Sequence, residues 1–500
     1  MREMLSQQRE RIAQASEDQV LQFIEDSRHK IQDLQSQITV LSGLLGNERA
    51  LCAALQHLIA PIRTLPVELL ATIFLFSLRD GESDMRNAKK NLRISDAYRV
   101  SHVCSEWHQV ALATPKLWIA PIQLTYSPEH SRKVLRALFA RSAPLPLSIS
   151  ITPNFTGTPI DIPILNEVAL VAGRCRSLRC STHIPASFLQ QLGNTDALEE
   201  LEIQAIYEDV PGFDLGSVVC FSQAPRLQKL SINPLLGLSI SMPWAQLTDL
   251  TFIVTSNRFV YDPLEILTRC KNLVRTHLVA PCDNPSVSSS LVVLSHLRSL
   301  CLRIAMRSPP HATVLFLYHL TAPVLDELHL VFPSNSTWDE SPITAFQLRS
   351  PSITTLKISG YTSDMSFEAV KAALLNAPLL THLSIVDCNT WLLKYVLDAL
   401  SLSGDESHIL VPRLHILTLK CSQFRKSEDT VRGIIDSRWW PDDELSTHGA
   451  ARWSRVNLTE LSEFSSPQFG IGPELRDKME TLQQSGLDVN IDVASLWDLE

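Results

Sequence analysis

Along residues 5–60, apolar positions recur with alternating three- and four-residue spacing: Val20, Ile24, Ile31, Leu34, Ile38, Leu41, Leu45, Cys52, Leu55, Ile59 and Ile62. This is the spacing of heptad a and d positions, broken at Ser27 and Glu48. Gln, Glu, Arg, Leu and Ala dominate the segment and proline is missing from it, so it predicts a helix. Two arrangements are open to that helix. One is a coiled-coil homodimer through residues 1–60; the other is a helix, or a hairpin bent at Gly43–Gly46, packed on its own chain. The glycine pair favours the bend, because each interior glycine costs ~1 kcal/mol relative to alanine. Pro61 ends the helix, since proline disfavours helical geometry at the residue before it. A second apolar helix starts at Pro66. Residues 79–98 are polar and charged and predict an exposed loop; another helix follows from about Val100 to Leu112, and Pro115 stops it.

Beyond residue 140 the pattern changes to a recurring Leu-x-x-Leu-x-Leu phrase. Its copies are Leu198–Leu201–Ile203, Leu227–Leu230–Ile232, Leu247–Leu250–Phe252, Leu273–Thr276–Leu278 and Leu297–Leu300–Leu302. They continue as Leu325–Leu328–Leu330, Ile353–Leu356–Ile358, Leu380–Leu383–Ile385 and Leu414–Leu417–Leu419. The intervals between first positions are 29, 20, 26, 24, 28, 28, 27 and 34 residues, and a proline stands just ahead of several copies, as at Pro225, Pro323, Pro351, Pro378 and Pro412. A period in the mid-twenties is that of leucine-rich repeats. Each repeat supplies one short strand whose apolar side chains alternate inward, and stacked neighbours bury what one repeat cannot. An ordinary α/β domain with several leucine-rich strands is the competing arrangement, and the regular interval argues against it. The Asn or Cys that usually follows the last leucine is almost absent, with only Cys388 in that place, so the repeats are irregular. From Ser422 the phrase is lost. Trp439, Trp440 and Trp453 flank a polar loop, Val489 to Val493 alternates like a final strand, and residues 422–500 are expected to cap the array.

Composition narrows the function classes. The chain has 500 residues, 45% apolar and 19% charged, with a net charge of −9. That leaves room for two or more domains and argues against a nucleic-acid binder, which would show a basic stripe. No secretory leader pattern and no run of 18 uninterrupted apolar residues is visible, so a soluble intracellular protein of the cytoplasm or nucleus, with no membrane partner, is expected. The ten cysteines are scattered without a Cys-x-x-Cys pair and read as free thiols. Phosphate-cradling glycine motifs, the zinc-protease helix motif and the nucleophile-elbow motif are all missing, and the histidines fall in unrelated segments. A non-enzymatic protein without metal or cofactor is expected.

The segment from Pro61 reads Pro-Ile-Arg-Thr-Leu65-Pro66-Val-Glu68-Leu69-Leu70-Ala-Thr-Ile73-Phe74. Later come Val103-Cys104-Ser-Glu-Trp107 and Leu117-Trp118. Together these pieces resemble an F-box, whose pattern has Leu-Pro-x-Glu-Leu/Ile-Leu leading to Ile-Phe, then Val-Cys-x-x-Trp, then Leu-Trp. The gap from Phe74 to Val103 is longer than in the common F-box, which puts the middle helix of the motif in doubt. The whole layout is similar to the mushroom-type fungal F-box proteins, with a coiled coil before the motif and irregular repeats after it. That resemblance implies four parts: a helical segment at 1–60, an F-box at 61–120, a leucine-rich-repeat horseshoe at 140–421 and the terminal cap. In fold class this is an α+β or α/β solenoid. It also implies a function: the F-box binds a Skp-family adaptor of a cullin–RING ubiquitin ligase, and the repeats bind a protein destined for ubiquitination. A scaffold or regulator that binds the adaptor but delivers nothing is the alternative. The twelve motif residues just numbered are the expected adaptor-binding residues. The physical reading agrees with the resemblance: Pro66 and Glu68 suit the first turn of a helix, and the leucines with Ile73 and Phe74 are too many for so short a helix to bury alone. Trp107, four residues after Val103, is expected in the core of the unit.

In each repeat the residue between the last two apolar positions must face outward. That row reads Glu202, Ser231, Thr251, His277, Cys301, His329, Lys357, Ser384 and Thr418, with Arg275, Arg303, Glu327 and His382 beside it. It holds no block of one charge, so phosphate or nucleic-acid capture is not suggested. Its centre, His277, Arg303, His329 and Lys357, is the expected substrate patch, with the end loops as the alternative.

Overall fold

The computed structural model describes residues 3–7, 9, 17–59, 61–77, 94–124, 132–152, 162–207, 221–233, 241–253, 263–280, 291–304, 315–332, 340–360, 367–387, 390–401, 410–421, 428–440, 450–462 and 472–495. The expected polar loop up to residue 93 and Cys388 lie outside the described residues. The chain divides into two compact units: Met1–Arg86 with Arg99–Ala111, and Asn87–Tyr98 with Leu112–Glu500.

In the first unit the heptad segment is one helix, Glu17–Leu58, of 42 residues. It runs straight through Gly43 and Gly46, and no neighbouring atom lies within 4 Å of a side chain placed at either. The expected bend is therefore not there. Two glycines cost only ~2 kcal/mol, and the leucines, glutamines and alanines around them carry the helix through. Packing on its own chain is not there either, since every side chain from Leu21 to Gln56 is exposed. Among the described residues this helix, over Gln19–Gln56, is also long and apolar enough to cross a membrane by length and composition. The criterion of 18 unbroken apolar residues passed it over, because its longest apolar run is the six residues from Ala50 to Leu55.

After the turn Pro61–Thr64 comes the helix Val67–Ser77. Its first free carbonyl belongs to Pro66 and accepts the Leu70 N–H at 3.0 Å, while Glu68 lies in the first turn. The single helix expected from Val100 to Leu112 is instead two, Ile94–Ser101 and Ser105–Leu112, and the first takes in the end of the expected loop. The chain breaks at His102–Cys104, where the Cys104 thiol accepts the Trp107 N–H at 3.5 Å. That is the N-cap role usually filled by Ser, Thr, Asp or Asn.

The second unit is built on one parallel sheet of 14 strands, from Ile122–Leu124 to Asp488–Ser495, laid down in the order of the sequence. All nine phrases fall on strands of this sheet and match residue for residue. Leu201 pairs with Leu230, Leu230 with Leu250, and Leu250 with Thr276, which pairs in turn with Leu300. Thr276 replaces a leucine without leaving a polar orphan, because its hydroxyl donates to the Leu250 carbonyl at 3.1 Å. Most strands bury alternate residues, as in Thr355–Ser359 and Ile416–Cys421, though Arg455–Ser462 buries Leu458 to Leu461 in a row. A sheet wrapped on both faces buries nearly every residue; this one is covered on a single face. On the covered side consecutive helices pack on one another, from Glu340–Arg349 through Phe367–Leu375, Thr390–Leu400 and Glu428–Arg438 to Pro473–Gln484.

The sheet extends past both expected boundaries. Within residues 422–500, expected to cap the array, the strands Arg455–Ser462 and Asp488–Ser495 join the same sheet. There the phrase survives as Trp453–Val456–Leu458, with a fully buried tryptophan in the leading leucine's place. At the other end it survives as Cys175–Leu178–Cys180, with two buried thiols in place of leucines. Free cysteine packs as a small apolar residue, so the burial pattern holds where the leucine pattern does not.

Candidate functional site

The helix Val67–Ser77 is apolar on two faces. Leu70 and Phe74, one turn apart, are each 1% exposed, and the Phe74 ring meets the Trp107 ring with centroids 4.8 Å apart. Val67, Leu69, Ile73 and Phe76 are 55%, 52%, 42% and 58% exposed. Leu69, Ile73 and Phe76 are spaced four and three residues apart, so they line one stripe of the helix. An interior contact thus uses one face, and a second face of similar size remains in water. Val103 is exposed in the break between the later helices, so Trp107 does not lean on it within one helix as expected. Trp107 is half-buried against Phe74 instead.

Within the second unit, Leu117 and Trp118 are fully buried. The Trp118 ring makes an edge contact with Tyr98 at 5.2 Å, and the Arg141 guanidinium sits 4.7 Å above it. The twelve expected adaptor-binding residues therefore separate by burial. Leu65, Pro66, Glu68, Leu69, Ile73, Val103, Cys104 and Trp107 retain surface, while Leu70, Phe74, Leu117 and Trp118 hold cores. Sequence reasoning missed Val67 and Phe76. Phe76 was findable as the next position of the Leu69–Ile73 stripe.

The outward row of the sheet is where alternation predicts it. Glu202, Ser231, Thr251, His277, Cys301, His329, Lys357, Ser384 and Thr418 stand at one register level on consecutive strands, all half-buried. At its centre the Cys301 thiol lies 3.4 Å from His329 Nδ1, and His329 Nε2 lies 2.9 Å from the Ser359 hydroxyl. Burial, then the positive charge of Lys357, lowers His329 to about 3. Burial, then Arg303, lowers His277. Burial pushes the Cys301 thiol up to about 11. The cysteine–histidine contact therefore joins a neutral thiol to a neutral ring, and it lacks the thiolate a nucleophile needs. Among the described residues no cluster of three or more metal-binding side chains occurs.

Lys357 stands in this row and Arg303 beside it, and among the described residues neither forms an ion pair. Several other cations of the face are paired. Lys229 and Arg179 hold Glu200 at 2.6 and 3.3 Å, Arg275 holds Asp249 at 2.5 Å, and Arg455 holds Asp488 at 2.6 Å. Burial tends to raise the Glu200 carboxyl, but the hydrogen bond and charge of Lys229 prevail and the net shift is downward. A depression of about 220 Å³ lies among Arg179, Glu200, Glu202, Lys229, Asp249 and Thr251, away from the expected patch. It is smaller than the ~300 Å³ of ordinary ligand pockets, and its charges largely satisfy one another.

Residues 62–123 match the family model described as F-box-like. No curated protein matches the chain.

Proposed function

We propose that this chain is the substrate-recognition subunit of an SCF-type cullin–RING ubiquitin ligase. Its F-box-like segment binds a Skp-family adaptor. Its sheet is an irregular leucine-rich-repeat horseshoe whose concave face, lined by the uncovered side of the strands, holds the substrate, and its N-terminal helix is a coiled-coil strand. The chain does no chemistry; it raises the local concentration of substrate beside the ligase's catalytic partner, in the cytoplasm or nucleus.

One coincidence carries this reading. The F-box-like match covers the helix that fills a core with Leu70 and Phe74 and still presents Leu69, Ile73 and Phe76 to solvent. Exposed apolar surface of that kind marks an interface, and the family supplies its partner. On the sheet, the unpaired Arg303 and Lys357 favour an acidic segment of the substrate over a neutral one. Replacing Leu65, Pro66 and Leu69 together by Ala is expected to abolish co-purification of a Skp-family adaptor while the sheet keeps its circular dichroism. Wild-type adaptor yield from a folded triple variant would move the interface elsewhere. Ubiquitination of co-purified proteins by the reconstituted ligase separates a receptor from a scaffold.

A further inference from the structure

The helix Glu17–Leu58 is about 63 Å long at 1.5 Å per residue and leaves its apolar stripe exposed from Leu21 to Gln56. A helix in a protein owes most of its stability to the face it packs, so this one lacks its partner. We propose that the partner is a second copy of the chain, in a parallel, in-register, two-stranded coiled coil over residues 17–58. The proposal deepens the coiled-coil reading of this helix and is independent of adaptor binding.

Three features select this arrangement. The first is the identity of the seam residues. With Ile24, Ile31 and Ile38 at a and Leu34, Leu41 and Leu55 at d, the helix carries the combination that favours parallel pairs over trimers and tetramers. Gly43 and Gly46 fall at f and b, outside the seam, so the glycines do not interrupt the contact.

The second is charge. In a parallel self-pair each g residue meets the e residue five places on in the other copy. Arg28 then faces Phe23, Lys30 faces Gln35 and Arg49 faces Leu44, and no cation meets a cation. Glu48, the one charged seam residue between Ile24 and Leu55, packs at d beside the e position of the second copy, which is Arg49. In register Glu48 also faces Glu48 of the second copy, and the Arg49 beside each carboxylate offsets that repulsion. A slip of one heptad would set Glu48 beside Ser42 or Gln56 instead of Arg49, so the arginine favours the register.

The third is the placing of charge. The helix is long and apolar enough to cross a bilayer, but its uncharged stretch between Asp33 and Glu48 is only 14 residues, and a coiled coil leaves the charges on either side of it near water.

Cys52 makes the orientation measurable. It is exposed and occupies an a position, so a parallel in-register pair brings it opposite its own copy, within the ~4.4–6.8 Å Cα separation of a disulfide. The purified full chain is expected to weigh twice its 55.9 kDa by light scattering. Diamide is expected to link the two copies, oxidising both thiols to a disulfide as the diamide is reduced to its hydrazine. Cys52→Ser is expected to lose the cross-link and keep the doubled mass. Ile31→Asp with Leu34→Asp is expected to halve the mass and leave adaptor capture at wild-type yield. A single-chain mass for the wild type would overturn the proposal, as would a doubled mass that survives the aspartate pair. A doubled mass without a Cys52 link would overturn the parallel register. Flotation of the single-chain form with phosphatidylcholine–phosphatidylserine vesicles would assign the stripe to lipid instead.

Discussion

Glu167 is a carboxylate inside the second unit, 2% exposed, held by Arg132 at 2.5 Å and Arg136 at 2.8 Å. The hydrogen bond from Arg136, then that from Arg132, outweighs burial and draws its carboxyl below the ordinary range. A depressed carboxylate contributes stability above its unfolded pKa of ~4.3 and loses it as pH falls through the folded value. Glu167→Gln is therefore expected to lower the urea midpoint at pH 7, and the gap from wild type is expected to narrow below pH ~4.3. A gap that stays constant with pH would remove charge from the account. The sequence did not mark this site, because Glu167 belongs to a short apolar helix and its arginines lie 35 and 31 positions earlier. The outward row at His277, Cys301 and His329 was legible from strand alternation alone. Its protonation states were not, since they depend on burial by neighbouring strands.

Between elements, arginines tie successive units together. Arg174 donates to the carbonyls of Phe139 and Leu145, Arg349 to those of Leu317, Tyr318 and Leu320, and Arg438 to those of Leu400 and Leu410. Phe139, Leu317, Tyr318 and Leu400 lie in the last turns of helices, where carbonyls lack intrahelical partners and the helix dipole favours a cation. Burial lowers the pKa of all three arginines, that of Arg438 to about 10. Gly360 closes another junction. Its φ is 103°, its N–H donates to the Val386 carbonyl at 3.0 Å, and a side chain there would run into the Phe332 carbonyl. Gly360→Ala is expected to cost about 2–3 kcal/mol, from a left-handed residue plus displaced backbone. Chemical denaturation measures it, and a loss under about 0.5 kcal/mol would show that the junction yields. The nine leucine phrases located their strands because period and alternation are local. The units led by Cys175 and Trp453 escaped because a pattern search looks for leucine, whereas the sheet requires only an apolar side chain of tolerable volume.

At the scale of the whole molecule, the uncovered face of the sheet divides into a neutralised part near Glu200 and a part where, among the described residues, Arg303 and Lys357 have no ion pair. Arg303→Glu with Lys357→Glu is expected to weaken substrate capture at least 10-fold, about 1.4 kcal/mol, without changing adaptor yield. Affinity purification followed by identification of bound proteins reads both; retention of the whole bound set would move the site off this patch. By itself the sequence determined the heptad helix, the F-box-like segment and the strand positions with their outward residues. Each of these rests on spacing between near neighbours, which the backbone periodicities turn directly into faces. Only the tertiary structure decided that the long helix stays unbroken and is exposed from Leu21 to Gln56, that Leu70 and Phe74 face inward while Leu69, Ile73 and Phe76 face out, and that the sheet continues to residue 495. These depend on what lies across from each side chain, and residues distant in sequence supply that partner or withhold it.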